Sequence, residues 1–337
     1  MTKLKFLSRA LLALGTFAST VVMAQTASVS GETIRIQKYP GVISMLAIVA
    51  AERGYCAKYG INCVLSTIPS SVVGLQSMLS GGLDVATPAV EAALQLAAKG
   101  TPVRLIANIS RNGPYVFAVS DQMSSGPNQK KGFPALMHDL KGKKVGVTTR
   151  GSGPEYILRS MLAAAGMKDS DVTIVAVGGP DTIYAGLVNK QIDAAVSFEP
   201  MGALCEVLKT CHISLWFPRG DGPKELTLLA GAYVPMVVRA EYAEKNPKVI
   251  AALRSALKDA EAFVHTSSNF DELQRITAKH FKMEHPQADA LIATMLRNTL
   301  PNLYYEIDPK GVQAASDYMV RTGQLDKPVD ISRLVLR

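Results

Sequence analysis

Several common chemical signatures are missing from these 337 residues. There is no Gly-x-Ser-x-Gly turn, no His-Glu-x-x-His and no histidine beside a strand-end serine or cysteine, which removes the usual constellations of hydrolytic catalysis. His138, His212, His265, His280 and His285 are scattered and no Cys-x-x-Cys occurs, so a metal ion finds little to hold it. Gly151-Ser-Gly-Pro-Glu-Tyr156 follows a strand and opens a helix. It has tyrosine where a dinucleotide fingerprint needs its third glycine, and no Gly-Lys-Ser/Thr follows to form a phosphate loop. No enzyme activity, cofactor or metal is therefore expected. Charged residues are 19% of the chain, and the net +8 is not gathered into a stripe, so no nucleic-acid partner is expected. Beyond the N-terminus no apolar run approaches the roughly 18 to 20 residues that span a bilayer.

What is present begins with Lys3, Lys5 and Arg9 ahead of an apolar run from Ala10 to Ala18, then Val22-Met23-Ala24. This reads as a secretory signal cleaved after Ala24, with export to the periplasm. No cysteine sits at the cleavage point to carry a lipid anchor. Cleavage removes three positive charges and no acid, taking +8 to +5, and leaves 313 residues, enough for two domains. The four cysteines form close pairs, Cys56 with Cys63 and Cys205 with Cys211, each joining a helix end to the next strand. In an oxidising compartment they read as two short disulfides.

Short β-branched runs alternate with helical stretches. Strands are predicted over 33–37, 61–65, 83–86 and 103–108, with helices over about 44–59, from about Ser71, and over 88–99. After a polar segment at 121–134 a second series follows, with strands over 144–148, 172–177, 193–196 and 212–216 and helices over 153–165, 180–189 and 200–208. Strands alternating with helices predict an α/β fold of βαβ units, and two series predict two lobes. The expected division is a signal peptide over 1–24, lobe I over 25–118 and 232–337, and lobe II over 119–231. Crossings at 116–120 and 228–238 would make a two-strand hinge. The remainder, 241–337, reads as mostly helical, wrapping back onto lobe I, with Ser268 and Asp308 as capping candidates. The windows 73–86 and 182–195 share one pattern: helix, polar turn, apolar residue, aspartate, short strand. Asp84 and Asp193 then sit at strand starts, opposite the cleft, as structural residues.

In open α/β sheets a ligand lies outside the carboxyl ends of the strands. In lobe I those ends carry Tyr39, Gly41 and Ser44, then Ser70 and Ser71, then Thr87 and Pro88, then Arg111 and Asn112. Lobe II offers Thr149, Arg150, Gly151 and Ser152, and the corner Phe198-Glu199-Pro200. Several of these place a hydroxyl or glycine at a helix start, where free N–H groups favour an anion and where ordinary capping uses the same residues. Arg150 and Arg111 would add charge-assisted hydrogen bonds. Glu199 would accept an amine or complement its helix dipole, and Tyr39, Tyr115, Tyr184 and Tyr233 are candidate wall residues.

Gly81-Gly-Leu-Asp-Val-Ala86, Asp139-Leu-Lys-Gly-Lys-Lys-Val-Gly-Val147 leading into Arg150-Gly-Ser-Gly153, Asp193-Ala-Ala-Val-Ser-Phe-Glu-Pro200 and Gly323-Gln-Leu-Asp-Lys-Pro-Val-Asp-Ile331 occur in that order. Over nearly the whole mature length the chain resembles the periplasmic binding proteins of the aliphatic sulfonate, taurine and nitrate importers, and the related thiamine-pyrimidine-precursor-binding group. The resemblance implies a type II periplasmic-binding-protein fold that closes on a small-molecule ligand and delivers it to an ATP-driven (ABC) permease in the inner membrane. It also implies a site formed by the segment after the first strand, the Thr87 loop, the Arg150 to Ser152 loop and the Phe198-Glu199 corner. Phe198 stands where these relatives often have tryptophan, and Gly151-Ser-Gly153 replaces the serine run of sulfonate binders. The cysteine run of the pyrimidine-synthesising relatives is absent. The expectation is a monomeric receptor for a small organic anion, a sulfonate or carboxylate that includes aromatic or amino-substituted forms. A thiamine-precursor pyrimidine or similar heterocycle is the alternative cargo, and a periplasmic sensory subunit the alternative role.

Overall fold

The computed structural model describes residues 31–336, so the predicted signal peptide and its cleavage site lie outside the described residues. Nine strands occur among the described residues: β1 Glu32–Lys38, β2 Ile61–Thr67, β3 Val103–Asn108, β4 Tyr115–Ser120, β5 Lys144–Val147, β6 Thr173–Ala176, β7 Ala194–Phe198, β8 Cys211–Trp216 and β9 Pro235–Arg239. β1 and β2 pair in parallel, and β3 and β9 antiparallel. Single bridges from Val85 to Ile36 and from Ala86 to Val237 join the two pairs into one sheet ordered β2, β1, residues 85–86, β9, β3. The other sheet runs β6-β5-β7-β4-β8, with β4 antiparallel to both neighbours. In each sheet the fourth strand is the one that has just crossed from the other lobe and runs against its neighbours.

This common order reflects an internal repeat with a constant offset of 109 residues. Arg35 N donates to Asp84 Oδ2 (2.8 Å) and Lys144 N to Asp193 Oδ2 (2.9 Å), each across 49 residues of sequence. Ser71–Leu79 and Pro180–Val188 are helices at the same offset. The predicted structural role of the two aspartates is what these bonds perform.

Some expected elements differ. The helix predicted over 44–59 is two, Met45–Glu52 and Tyr55–Lys58, because Gly54 takes a left-handed φ of 70° that ends the first. Residues 83–86 contribute only the two bridges. The outward crossing is 109–114, just before β4, which is itself a buried central strand. Asp308 caps Pro309–Arg321, accepting from Lys310 N (2.8 Å), whereas Ser268 lies in a short turn one residue short of the cap position.

Both disulfides form, Cys56–Cys63 and Cys205–Cys211. The C-terminal helices do not keep to one lobe. Pro247–Val264 packs on Met45–Glu52, and Pro309–Arg321 on Val90–Ala98, but Ala288–Thr299 packs against Met201–Leu208 of the second lobe. Asn108 staples the two crossings, its Nδ2 donating to Ser110 O (2.7 Å) and its Oδ1 accepting from Val234 N (3.2 Å). No described helix is long and apolar enough to cross a membrane.

Candidate ligand site in the cleft between the lobes

Gln37, fully buried at the end of β1, organises the lobe I side. Its Nε2 donates to Ile68 O (2.9 Å) and Ser70 O (3.1 Å), and its Oε1 accepts from Thr87 N (2.9 Å). One amide thus ties the end of β1 to two strand-end loops. Gly74 faces the Gln37 side chain so closely that any Cβ there would collide with it. Ser44 Oγ accepts from Tyr39 N (2.9 Å), and Ser71 Oγ accepts from Ala89 N (3.1 Å) and lies 3.1 Å from Tyr39 Oη. Ser70 caps the helix that follows it.

The lobes meet over this framework. Ser70 Oγ lies 3.3 Å from Thr149 Oγ1, Tyr156 Oη donates to Gln95 Oε1 (2.9 Å), and Tyr39 meets Phe198 edge to face with centroids 5.5 Å apart. Gly41, at φ +80°, abuts the Glu199 carbonyl so closely that an added Cβ would lie 2.9 Å from it. Gly153 leaves the space that the Tyr115 hydroxyl fills. These contacts leave a narrow, half-open cavity with ≈ 30 Å³ of free room, lined by the rings of Tyr39, Tyr115 and Phe198, by the hydroxyl-bearing Ser71, Thr148 and Ser152, and by prolines and small apolar residues. No lysine, arginine, histidine or carboxylate lines it. Burial pushes the Tyr39 hydroxyl up to about 12, so it stays a neutral donor or acceptor at any physiological pH.

Of the residues singled out in the sequence, Tyr39, Ser71, Tyr115, Ser152 and Phe198 line this cavity. Gly41, Ser44, Ser70, Thr87 and Thr149 shape the loops around it, with Pro88 buried directly after Thr87. The two arginines point elsewhere. The side chain of Arg150 is 55% exposed and pairs with Glu155 (3.1 Å), whose other oxygen accepts from Gly151 N (2.5 Å). Arg111 lies over Tyr304, 5.1 Å from the ring centroid, on an outer groove, and Asn112 donates to Asn302 (2.9 Å). Tyr233 donates to Leu226 O, and Tyr184 pairs with Thr210 (2.7 Å).

Glu199 is buried behind Phe198. Its Oε2 accepts from Ala203 N (2.9 Å) and its Oε1 from Asn298 Nδ2 (2.9 Å), and burial pushes its carboxyl up to about 7. Sequence reading missed Gln37 and Asn298. Gln37 stands in a strand that also holds Arg35 and Lys38, so its burial left no trace in the sequence, and Asn298, which reaches Glu199 across 99 residues, left none either.

The profile of the NMT1-like family matches residues 41–278. A Brucella abortus protein named for binding, with no stated ligand, is 26% identical over 85% of this chain and 84% of its own. A riboflavin-binding protein of Chloroflexus aurantiacus is 22% identical over 89% of this chain and 83% of its own. The crystal structure of the periplasmic aliphatic sulphonate-binding protein of Escherichia coli superposes with a TM-score of 0.67 at 19% identity, covering 90% of this chain and 97% of that one. The fold is that of the periplasmic binding proteins.

Proposed function

This chain belongs to the NMT1-like family, and from that premise we propose that it is the solute-binding component of an ABC importer, exported to the periplasm, which captures a small heterocyclic molecule in the cleft and passes it on unchanged. The observation that carries this reading is the lining of the cleft, in which strand-end loops of both lobes bring three aromatic rings and three hydroxyls together. Its ≈ 30 Å³ of free room lies far below the roughly 300 to 1,000 Å³ of ligand pockets, so the lobes have to part to admit a ligand. Three aromatic rings offer flat faces and edges to a planar ring, and hydroxyls at helix starts offer hydrogen bonds to ring nitrogens or carbonyls. A sulfonate or carboxylate held by arginine is supported less well, because Arg150 is paired with Glu155 and Arg111 lies over Tyr304. The riboflavin-binding relative carries a heterocyclic cargo on a chain of similar extent.

The test is native mass spectrometry of the purified protein, followed by thermal melts against small heterocycles, amines, carboxylates and sulfonates. Ligands of the folded state raise the melting temperature by mass action. Heterocycles should give the largest rise and be recovered chemically unchanged. Stabilisation by sulfonates or carboxylates alone would restore the anion reading, and recovery of an altered molecule would make the protein an enzyme.

A further inference from the structure

We propose that Glu91 is a proton-operated catch between the lobes, which close over it when it is protonated and part when it ionises. This is a regulation of the receptor described above and rests on that reading. Glu91 stands at the start of helix Val90–Ala98 in lobe I and is 3% exposed. Gln95 follows it by four residues and so shares its face of the helix. That face meets lobe II, because Gln95 Oε1 accepts from Tyr156 Oη (2.9 Å) and the helix packs on Gly153–Ala164.

The charge of Glu91 is felt by four buried tyrosine hydroxyls, two from each lobe. Tyr115 of β4 and Tyr156 of Gly153–Ala164 come from lobe II, and Tyr233 ahead of β9 and Tyr318 of Pro309–Arg321 from lobe I. Their hydroxyls are turned elsewhere. Tyr156 donates to Gln95, Tyr233 to Leu226 O, Tyr318 meets Ser160 of lobe II, and Tyr115 fills the space beside Gly153. The charged groups of the surrounding elements are turned away as well. Glu155 and Arg159 pair with each other (3.0 Å), Asp317 accepts from Gln313 (2.8 Å), Arg239 donates to Met78 O and Leu83 O, and Glu225 and Arg321 act on Tyr318 and not on Glu91. An ionised Glu91 between closed lobes therefore has its own N–H and no cation, which is costly. Parting the lobes lets water reach it and removes that cost.

Burial pushes the closed-state carboxyl up to about 7, whereas a hydrated one releases its proton near 4.5. Closure is thus strongest below the lower value, weakens as pH rises towards 7 and levels off above it. A ligand held between the lobes stabilises the closed form, so capture takes up a proton and release gives one back. Maleimide labelling of one introduced thiol, Ser160→Cys, reads the opening, since Ser160 is 4% exposed at the seam. Corrected for thiolate fraction, its rate should rise about tenfold between pH 6 and pH 8. The added change Glu91→Gln should make the profile flat, and Glu91→Met serves the same comparison if the glutamine variant does not melt cooperatively. Ala256→Cys, fully buried within lobe I, reports global unfolding and should label at least tenfold more slowly than Ser160→Cys. A flat or absent reaction at Ser160→Cys, a rise that survives the loss of Glu91, or equal rates at the two positions overturns the catch. The receptor reading is judged by the ligand panel, which none of these rates enters, and stands or falls separately.

Discussion

The two lobes are alike at their bases and unlike at their mouths. At the base, Asp84 and Asp193 make the same bond to the first strand of their sheets across the same sequence distance. At the mouth, the 109-residue offset sets Tyr39 against Thr148, Ser44 against Gly153 and Ser70 against Gly179. A strand start must be held wherever a βαβ unit repeats, so the base tolerates little change. The loops above it answer to the ligand and to the opposite lobe, and there the repeat dissolves.

The bases are alike in geometry but not in energy, and that is where the comparison can be broken first. Asp84 also receives Arg35 Nε (2.9 Å) and Nη2 (2.7 Å), with its side chain only 6% exposed. Burial works against its charge, yet the hydrogen bonds from Arg35 prevail and hold the carboxyl below the ordinary aspartate range. Asp84→Ala should therefore cost about 3 kcal/mol in urea unfolding. A cost equal to that of Asp193→Ala would show that the arginine adds nothing.

The second test compares the buried glutamates, Glu91 near the start of Val90–Ala98 and Glu199 just before Met201–Leu208. Burial pushes both up to about 7. The sign is opposite to that of Asp84. Folding retains a proton that the unfolded chain releases near pH 4.5, so stability is full below that value, falls as pH rises towards 7, and levels off above. Each contributes a loss on the order of 3 kcal/mol over that window. Glu199 keeps two donors, whereas no other residue donates a hydrogen bond to Glu91 among the described residues. Glu91→Gln and Glu199→Gln should flatten the pH-stability curve by similar amounts, while Glu91→Gln should raise the melting temperature at pH 8 more, because it removes a buried carboxylate that has no donor from another described residue. A smaller effect at Glu91 than at Glu199 would mean that the missing donors do not matter.

Third, the disulfides close loops of sequence separation 7 and 6, one in each lobe. Loop-closure entropy assigns each about 2 kcal/mol. Paired Cys→Ser variants should lower the urea midpoint almost equally, and a large inequality would reveal strain or unfolded-state structure in one lobe. The smallest effect belongs to Asp193→Ala, about 1 kcal/mol for one backbone hydrogen bond at a half-buried site.

Much of this scaffold was legible beforehand. Alternating β-branched runs announced the two sheets, the close cysteine pairs announced their bridges, and the matching windows around Asp84 and Asp193 announced the repeat. Local signals failed where a local choice was close. Gly54 split one helix, and residues 83–86 kept only two ladder bridges because their neighbours β1 and β9 supply most of the sheet. Within the site, hydroxyls at helix starts were visible because capping chemistry is local. The pairing of Arg150 with Glu155 was harder to see, since an arginine beside a cleft loop can turn either way and only the packed helix Gly153–Ala164 selects.

The sequence alone determined most of the elements, their alternation and the caps at Ser70 and Asp308, because these depend on side-chain periodicity and on backbone chemistry within a few residues. Tertiary structure alone decided that the cleft is neutral in front and acidic behind. That difference arises from contacts such as Asn298 to Glu199 and Tyr115 to Gly153, between residues whose sequence neighbours give no sign of one another. Burial, which raises the carboxyl of Glu199 and keeps the hydroxyl of Tyr39 neutral, exists only once both lobes and the C-terminal helices have closed around them.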